Sequence, residues 1–393
     1  MYHKNLVFFA ACLGMLLFGI SIITLGSAAT DLRQKFLLDD ISIGTLFSIL
    51  PIGVLVGSII FGPICDRFGY KVIFIAGCLC MFFSFQGIAF ADSFSALTWF
   101  ILLFGFGGGI LNGTTNAVVA DISTEAKTGN LSLLGVFYGI GALGMPFLLG
   151  ILREYFTFEY IISSVSWLTV AITIFYISIK FPASKTEQGF PLANNKILFK
   201  DSVLILIAFF LFCQSSFEGI INNWTTTYLT SQYRVPENQT LYALTLFVLG
   251  LTIMRLMIGT VLRNMEPLKL LMLSIGLILA GILLIQLGQV YEMAVAGLII
   301  MGAGLSGGFP IMLGLAGDRF KEQSGTAFSF VLVIALIGNM LINYLMGFIA
   351  ENYGINHLIT VAVAEVVVMI ILGFSIFKKL KQNTNKYAGK TMA

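Results

Sequence analysis

The chain has 393 residues, of which 58% are hydrophobic and only 10% charged, and its mean hydropathy is +0.96. Soluble domains carry about a quarter charged residues, so the composition excludes a water-soluble globular fold. The formal net charge of +3 reflects basic residues gathered at the ends of apolar runs, not a nucleic-acid-binding surface.

Unbroken apolar runs of spanning length recur from one end to the other, whereas a membrane barrel would show alternating segments of about ten residues. Twelve spans are predicted, at 6–30, 42–65, 71–91, 95–121, 129–152, 158–180, 202–230, 240–263, 267–288, 292–318, 325–350 and 355–378. The first follows Met-Tyr-His-Lys-Asn and is too long for a signal-peptide core, so it reads as an uncleaved span. Between spans six and seven lies the longest polar stretch, "KFPASKTEQGFPLANNKILFKD". The expected organisation is a six-helix bundle at 1–180, a linker at 181–201, a second bundle at 202–378 and a basic tail at 379–393. Cys12, Cys65, Cys78, Cys80 and Cys213 all fall in or beside apolar runs, and His3 and His357 lie outside them. Neither a metal site, a cofactor nor a disulfide framework is expected.

Basic residues set the orientation. With the N-terminus inside, seventeen of the 22 lysines and arginines fall on the cytoplasmic side. Only Arg33, Lys35, Arg153 and Arg234 fall outside, and Arg255 stays within a span. Both termini are then cytoplasmic. The halves also match at a fixed offset of 197 residues, which carries Gly53 to Gly250, Gly62 to Gly259, Gly105 to Gly302 and Gly107 to Gly304. The same shift carries Asp121 to Asp318, Gly141 to Gly338, Gly150 to Gly347 and Glu154 to Glu351. Two six-span halves of like orientation make a parallel repeat, related by an axis along the membrane normal.

Between spans two and three the chain reads Gly62-Pro-Ile-Cys-Asp66-Arg67-Phe-Gly69-Tyr-Lys71. The stretch resembles the signature loop of the major facilitator superfamily and sits where that family has it, although its last basic position departs, since Val72 follows Lys71. Together with twelve spans and the repeat, the resemblance covers essentially the whole chain. It implies an all-α membrane fold, alternating access, a central cavity lined by spans one, four, seven and ten, and a monomer. Arg67 would reach Asp121, so that Asp66, Arg67 and Asp121 act in gating with the second-half Asp318. Arg255 could snorkel to the interface or pair with Asp318, and is grouped with gating. Span five carries Tyr138-Gly-Ile-Gly-Ala-Leu-Gly144-Met-Pro146, which partly resembles the family's antiporter motif, with close helix packing as the plainer explanation.

A polar side chain in hydrocarbon is costly and so faces a cavity or a partner. On a wheel of about 100° per residue, Gln214, Asn222 and Thr225 lie within about 40° of Glu218. Span four gives Asn112, Thr115 and Asn116, and span eleven gives Asn339 and Asn343. Amides offer paired donors and acceptors, which suits hydroxyl-rich solutes, and Trp224 and Tyr138 could stack on a sugar ring. Each amide pair could equally be interhelical glue. "GFGGGILNGTTNA" and "FEGIINNWTTTYL" are similar to the sugar-symporter branch, the fucose–galactose–glucose:proton symporters and sodium-dependent glucose transporters. Neither coupling acid of fucose-type symporters carries over: span one has no charge before Asp31, and Asn112 stands at the span-four glutamate position. The coupling role is therefore expected of Glu218, taken as the only carboxylate deep in a span on the cavity.

No Gly-x-x-x-x-Gly-Lys-Ser/Thr loop is present, nor HExxH, Gly-x-Ser-x-Gly or paired intramembrane carboxylates. The expectation is a secondary transporter and not an enzyme. It would import a monosaccharide or similar polar solute with a proton or sodium ion across a bacterial inner membrane. The alternative is proton-coupled efflux of drug-like compounds, to which the 36 phenylalanines lend support.

Overall fold

The computed structural model describes residues 2–122, 127–182, 200–262, 264–288, 290–320 and 324–390. Their regular structure is helical: α1 (Lys4–Ser27), α2 (Ala29–Phe36), α3 (Asp40–Phe68), α4 (Tyr70–Phe90), α5 (Phe94–Ile122), α6 (Lys127–Leu152), α7 (Phe158–Ser178), α8 (Ser202–Tyr233), α9 (Glu237–Gly259), α10 (Pro267–Leu287), α11 (Tyr291–Leu305), α12 (Gly308–Arg319), α13 (Ser324–Tyr353) and α14 (Leu358–Lys390). Twelve stretches are long and apolar enough to cross a membrane, in the order predicted. The tenth is broken, because α11 stops at Leu305 and α12 restarts at Gly308. Pro310 cannot donate to Ser306 and would clash with its carbonyl, so a continuous helix is disfavoured at that step. The helix α14 runs on through the stretch expected as a tail. Residues 183–199, most of the expected linker, lie outside the described residues.

Local signals place the helix ends. Asp39 caps α3 by accepting from the Ser42 N–H at 2.8 Å, and these bonds hold its carboxyl below the usual range. Asp201 caps α8 by accepting from the Val203 and Leu204 N–H groups, while the Arg319 guanidinium binds it through two nitrogens at 3.0 and 2.7 Å. Gly69 turns α3 into α4 at φ 80°, a conformation in which an L side chain is strained.

Packing carries out the repeat contact by contact. A Cβ at Gly53 would strike the Leu102 carbonyl, and one at Gly250 would strike that of Ile299, the residue 197 further on. Gly105 meets the Leu50 carbonyl and Gly302 that of Phe247; Gly107 meets Gly77 and Gly304 meets Ser274. The pairs α3·α5 and α9·α11 are thus the same close crossing built twice, with backbones brought together by small residues. The halves then meet along α3·α13, along its repeat mate α6·α9, and along α1·α8.

Described polar contacts between the halves gather at one end of the bundle. There Arg153 pairs with Glu237 and with Asp31, at 2.5 Å for the latter. Glu154 accepts from Asn238 at 3.1 Å, and its mate Glu351 accepts from the Asp40 N–H at 2.9 Å. Thr226 donates to the Gly26 carbonyl at 3.0 Å, and Ser48 to that of Met340 at 2.8 Å. A Cβ on Gly26 would run into the Asn222 carbonyl. At the opposite end the described bonds stay within a half: Tyr70 donates to Asp121, Lys71 caps α7 through the Ile177 and Ile179 carbonyls, and Arg319 holds Asp201. The bundle is therefore sealed at the Arg153 end.

If the two crossings are equivalent, Gly53→Leu and Gly250→Leu should each destabilise the protein by about 1–3 kcal/mol, the usual cost of overpacking. Gly276, with no atom near a built Cβ, should accept leucine without loss. Thermal unfolding in detergent measures all three.

Candidate transport site

The helix α8 carries polar groups on every side, and its neighbours decide what each one does. Gln214 donates to the Leu305 carbonyl at 2.9 Å and lies under Gly308, so it ties α8 to the break between α11 and α12. Trp224 and Asn223 both donate to Asn343 Oδ1, at 3.2 and 3.1 Å, and the Trp224 ring meets Phe47 edge-on at 5.4 Å. Asn343 in turn donates to Asn339 Oδ1 at 3.1 Å. Gln214, Asn222, Trp224 and Asn343 expose 1, 6, 0 and 0% of their surface. In this conformation these four residues, expected to touch substrate, are occupied in or sealed by helix packing.

A second group of polar residues within the spans keeps part of its surface exposed: Asn112 and Asn116 on α5, Tyr138 on α6, Glu218 on α8, Arg255 on α9 and Asn339 on α13. Glu218 sits near the midpoint of its helix. It is electrostatically coupled to Arg255, and both act on Tyr138. The Arg255 guanidinium lies over the Tyr138 ring, 5.6 Å from its centroid, a cation–π contact. Arg255 makes no ion pair within 4 Å among the described residues, with Asp318 or any other acid. The structure thus seats Arg255 at the junction of the halves, beside Glu218 and Tyr138, and Asp318 is exposed elsewhere.

Neighbouring contacts connect the rest of this group. Phe18 of α1 packs against Tyr138 at 5.7 Å and lies by Gly108 of α5. One turn further along that face, Asn116 donates to Asn112 Oδ1 at 3.0 Å. Thr115 points away to Met15 of α1 and is buried. Asn339 leans on Gly219, next to Glu218, and donates to the Ser215 carbonyl at 3.0 Å. The partly exposed polar groups thus comprise one acid, one base, one phenol and three amides, drawn from both halves, with Glu218 at the middle of its helix.

Asp121 accepts from Tyr70, which draws the α3–α4 turn onto α5. The side chains of Asp66 and Arg67 lie outside the described residues. A separate cavity of about 610 Å³ opens at the Arg153 end of the second half, lined by Tyr228, Gln232, Tyr233, Gln286, Asn356 and Thr360. It carries no charge, and Tyr228 is roughly 15 Å along α8 from Glu218. One intramembrane acid escaped the sequence reading altogether. Glu365 on α14 faces Cys213 and Ser216, on the side of α8 turned away from Glu218.

Removing a hub acceptor separates the two roles. Asn343→Ala strands the buried donors of Asn223 and Trp224 and should cost about 1–3 kcal/mol of stability. Asn116→Ala, which strands nothing buried, should leave thermal stability unchanged.

Comparison with known proteins agrees with this architecture. A profile described as Major Facilitator Superfamily matches residues 9–281 and again 217–391. The Glucose/mannose transporter GlcP of Bacillus subtilis (strain 168) is 24% identical over 385 residues, covering 91% of each chain. The crystal structure of a D-xylose-proton symporter superposes with a TM-score of 0.80 at 13% identity, covering 95% of this chain and 97% of that one. The nucleoside transporter NupG gives 0.78 at 16% identity, covering 95% and 99%. With the superfamily's profile matched in both halves and its fold reproduced over nearly the full length, the chain belongs to the Major Facilitator Superfamily of membrane transporters.

Proposed function

We propose that this transporter imports a monosaccharide or similar polar solute by alternating access, coupled to protons through Glu218. The observation that carries this reading is the mostly buried Glu218 beside Arg255 and Tyr138, at mid-membrane and at the junction of the halves. A carboxylate there is costly unless paired or protonated. Arg255 supports its charged form, and a proton would replace that support once the halves rock and the two groups separate. Asn339 beside it, with Asn112 and Asn116 on α5, would supply hydroxyl-matching donors and acceptors. The glucose/mannose transporter among the relatives supports a sugar-like substrate. By the distribution of basic residues the Arg153 end is extracellular, and the conformation is then the outward-closed one.

A second reading follows from one observation. Arg255 has no ion-pair partner within 4 Å among the described residues, and an acidic sugar could bring its own carboxylate to that guanidinium.

Counterflow in proteoliposomes with labelled hexoses, a hexuronate and a lipophilic cation tests both readings. Hexose exchange, competed by excess unlabelled hexose, is expected; hexuronate exchange alone selects the second reading, and exchange of the cation alone overturns both. Glu218→Gln should keep exchange but lose accumulation driven by a pH gradient. Unchanged accumulation removes Glu218 from coupling.

The extracellular seal should respond to pH through Asp31. Burial pushes its carboxyl up from 3.8 to about 7, against the opposing pull of Arg153 and with a further push from Glu237. A carboxyl raised in the closed state favours closure when protonated, and this contribution is fully present below its ordinary value. It is lost as pH rises through about 7. Spin labels on the exposed Leu37 and Tyr353, one in each half, should therefore report a shorter distance at about pH 5 than at about pH 8. Asp31→Asn should abolish that difference; a pH response that survives it removes Asp31 as the cause.

A further inference from the structure

Glu365 lies ten residues into the last span, which runs from Ile355 to Gln382, roughly 15 Å along the helix from its outer end. On α14 it continues the buried stripe of Leu358, Ala362 and Met369, so its carboxyl faces the bundle and not lipid. Ser216 and Cys213 of α8 are its polar neighbours across the helix pair. Glu365 Oε2 and Ser216 Oγ are both sealed from solvent and face each other between α14 and α8, with no other hydrogen-bond partner among the described residues. Ser216 has its own hydroxyl hydrogen to give, but one hydroxyl leaves a carboxylate at this depth without a cation beside it, which is costly, whereas a neutral carboxylic acid is not.

The charges around the site are few. From α8, the Cys213 thiol faces Glu365, while Glu218 lies on the opposite side, about 200° round the wheel from Ser216. The only charged residue of α10 is Lys269, at its start, and α13 has no acidic or basic residue before Glu351, near its end. His357 stands in the short turn before α14. Glu365 forms no ion pair among the described residues. A metal cation would need several oxygen ligands, and no group of three or more candidate ligands exists among the described residues.

We propose that Glu365 is a proton-binding site, distinct from Glu218 and occupied in this conformation, with its carboxylic O–H donating to Ser216 Oγ. On release the O–H bond breaks, the proton passes to water, and a carboxylate remains that must then be hydrated. Release therefore requires α8 and α14 to part enough to admit water. Gly338 of α13 lies against Ser216 as well, a built Cβ coming within 2.8 Å of its Oγ, so the site senses the packing of three helices. The helix with Glu218 on its cavity side would then have a protonatable acid on each side. This inference does not rest on the identity of the solute.

Infrared spectroscopy of the full chain in lipid nanodiscs tests it, with the protonated-carboxyl stretch as probe. At about pH 8.5 ordinary carboxyls are ionised. Under those conditions Glu218→Gln should still show the band, and Glu218→Gln/Glu365→Gln should lose it. A band that survives in the double variant, or is absent from Glu218→Gln, overturns the assignment. Ser216→Ala in the Glu218→Gln background should shift the band without removing it, because the acceptor is gone; an unmoved band overturns the pairing. Failure of the sugar assay would leave this result untouched, so the two proposals fail separately.

Discussion

Hydrocarbon offers no hydrogen-bond partner, so every polar group within a span must be answered from inside the protein. Much of this structure follows from how α8 meets that requirement. Gln214 is answered by the broken step between α11 and α12, and Asn223 and Trp224 by Asn343. Ser216 turns toward Glu365. Glu218 alone among these faces Arg255 and Tyr138 across the junction of the halves. The helix is thereby fixed to its own half on several sides and left responsive on one, as a rigid-body rocking mechanism requires.

The 197-residue repeat explains why rocking is mechanically available. Repeated glycine crossings make each half a stiff unit, since backbones in contact leave no side chain to repack. The seams between halves are also repeat mates, α3·α13 and α6·α9, so motion at one has a counterpart at the other. Glu154 and Glu351 show the symmetry in chemical detail: each reaches from the end of its own half to the first residues of a helix in the other.

The sequence made the spans, the repeat and the family legible because they depend on composition and spacing alone. The central site was legible only in part. A wheel gives the angle between Gln214, Glu218 and Asn222 but not which neighbour stands at that angle, so binding and packing amides look identical. Trp224 was taken for a stacking platform, and its burial against Phe47 depends on α3, nearly 180 residues away in the chain. Arg255 could be matched with Asp318 by proximity to a span end, yet the partner that decides its place is Tyr138, in the other half. Glu365 went unseen because a lone acid in a valine run forms no polar stripe. The break in the tenth span did leave a signal, Gly307, Gly308 and Pro310 in close succession.

The seal at the Arg153 end shows where the symmetry is broken to useful effect. The repeat mate of Arg153 is Ala350, so only the α6·α9 seam carries a base held between two acids, one from each half. Glu237 belongs to the helix that carries Arg255, and Asp31 follows the helix that packs on α8. Opening that seam would separate Arg153 from Glu237 and let water reach Asp31, whose carboxyl burial holds up at about 7 in the closed state. The same rotation would draw α9 away from α6 and so move Arg255 relative to Tyr138. A change in the protonation of Asp31 and a change in the support for Glu218 would then both follow from one rigid-body movement, with no chain of intervening side chains needed to connect them.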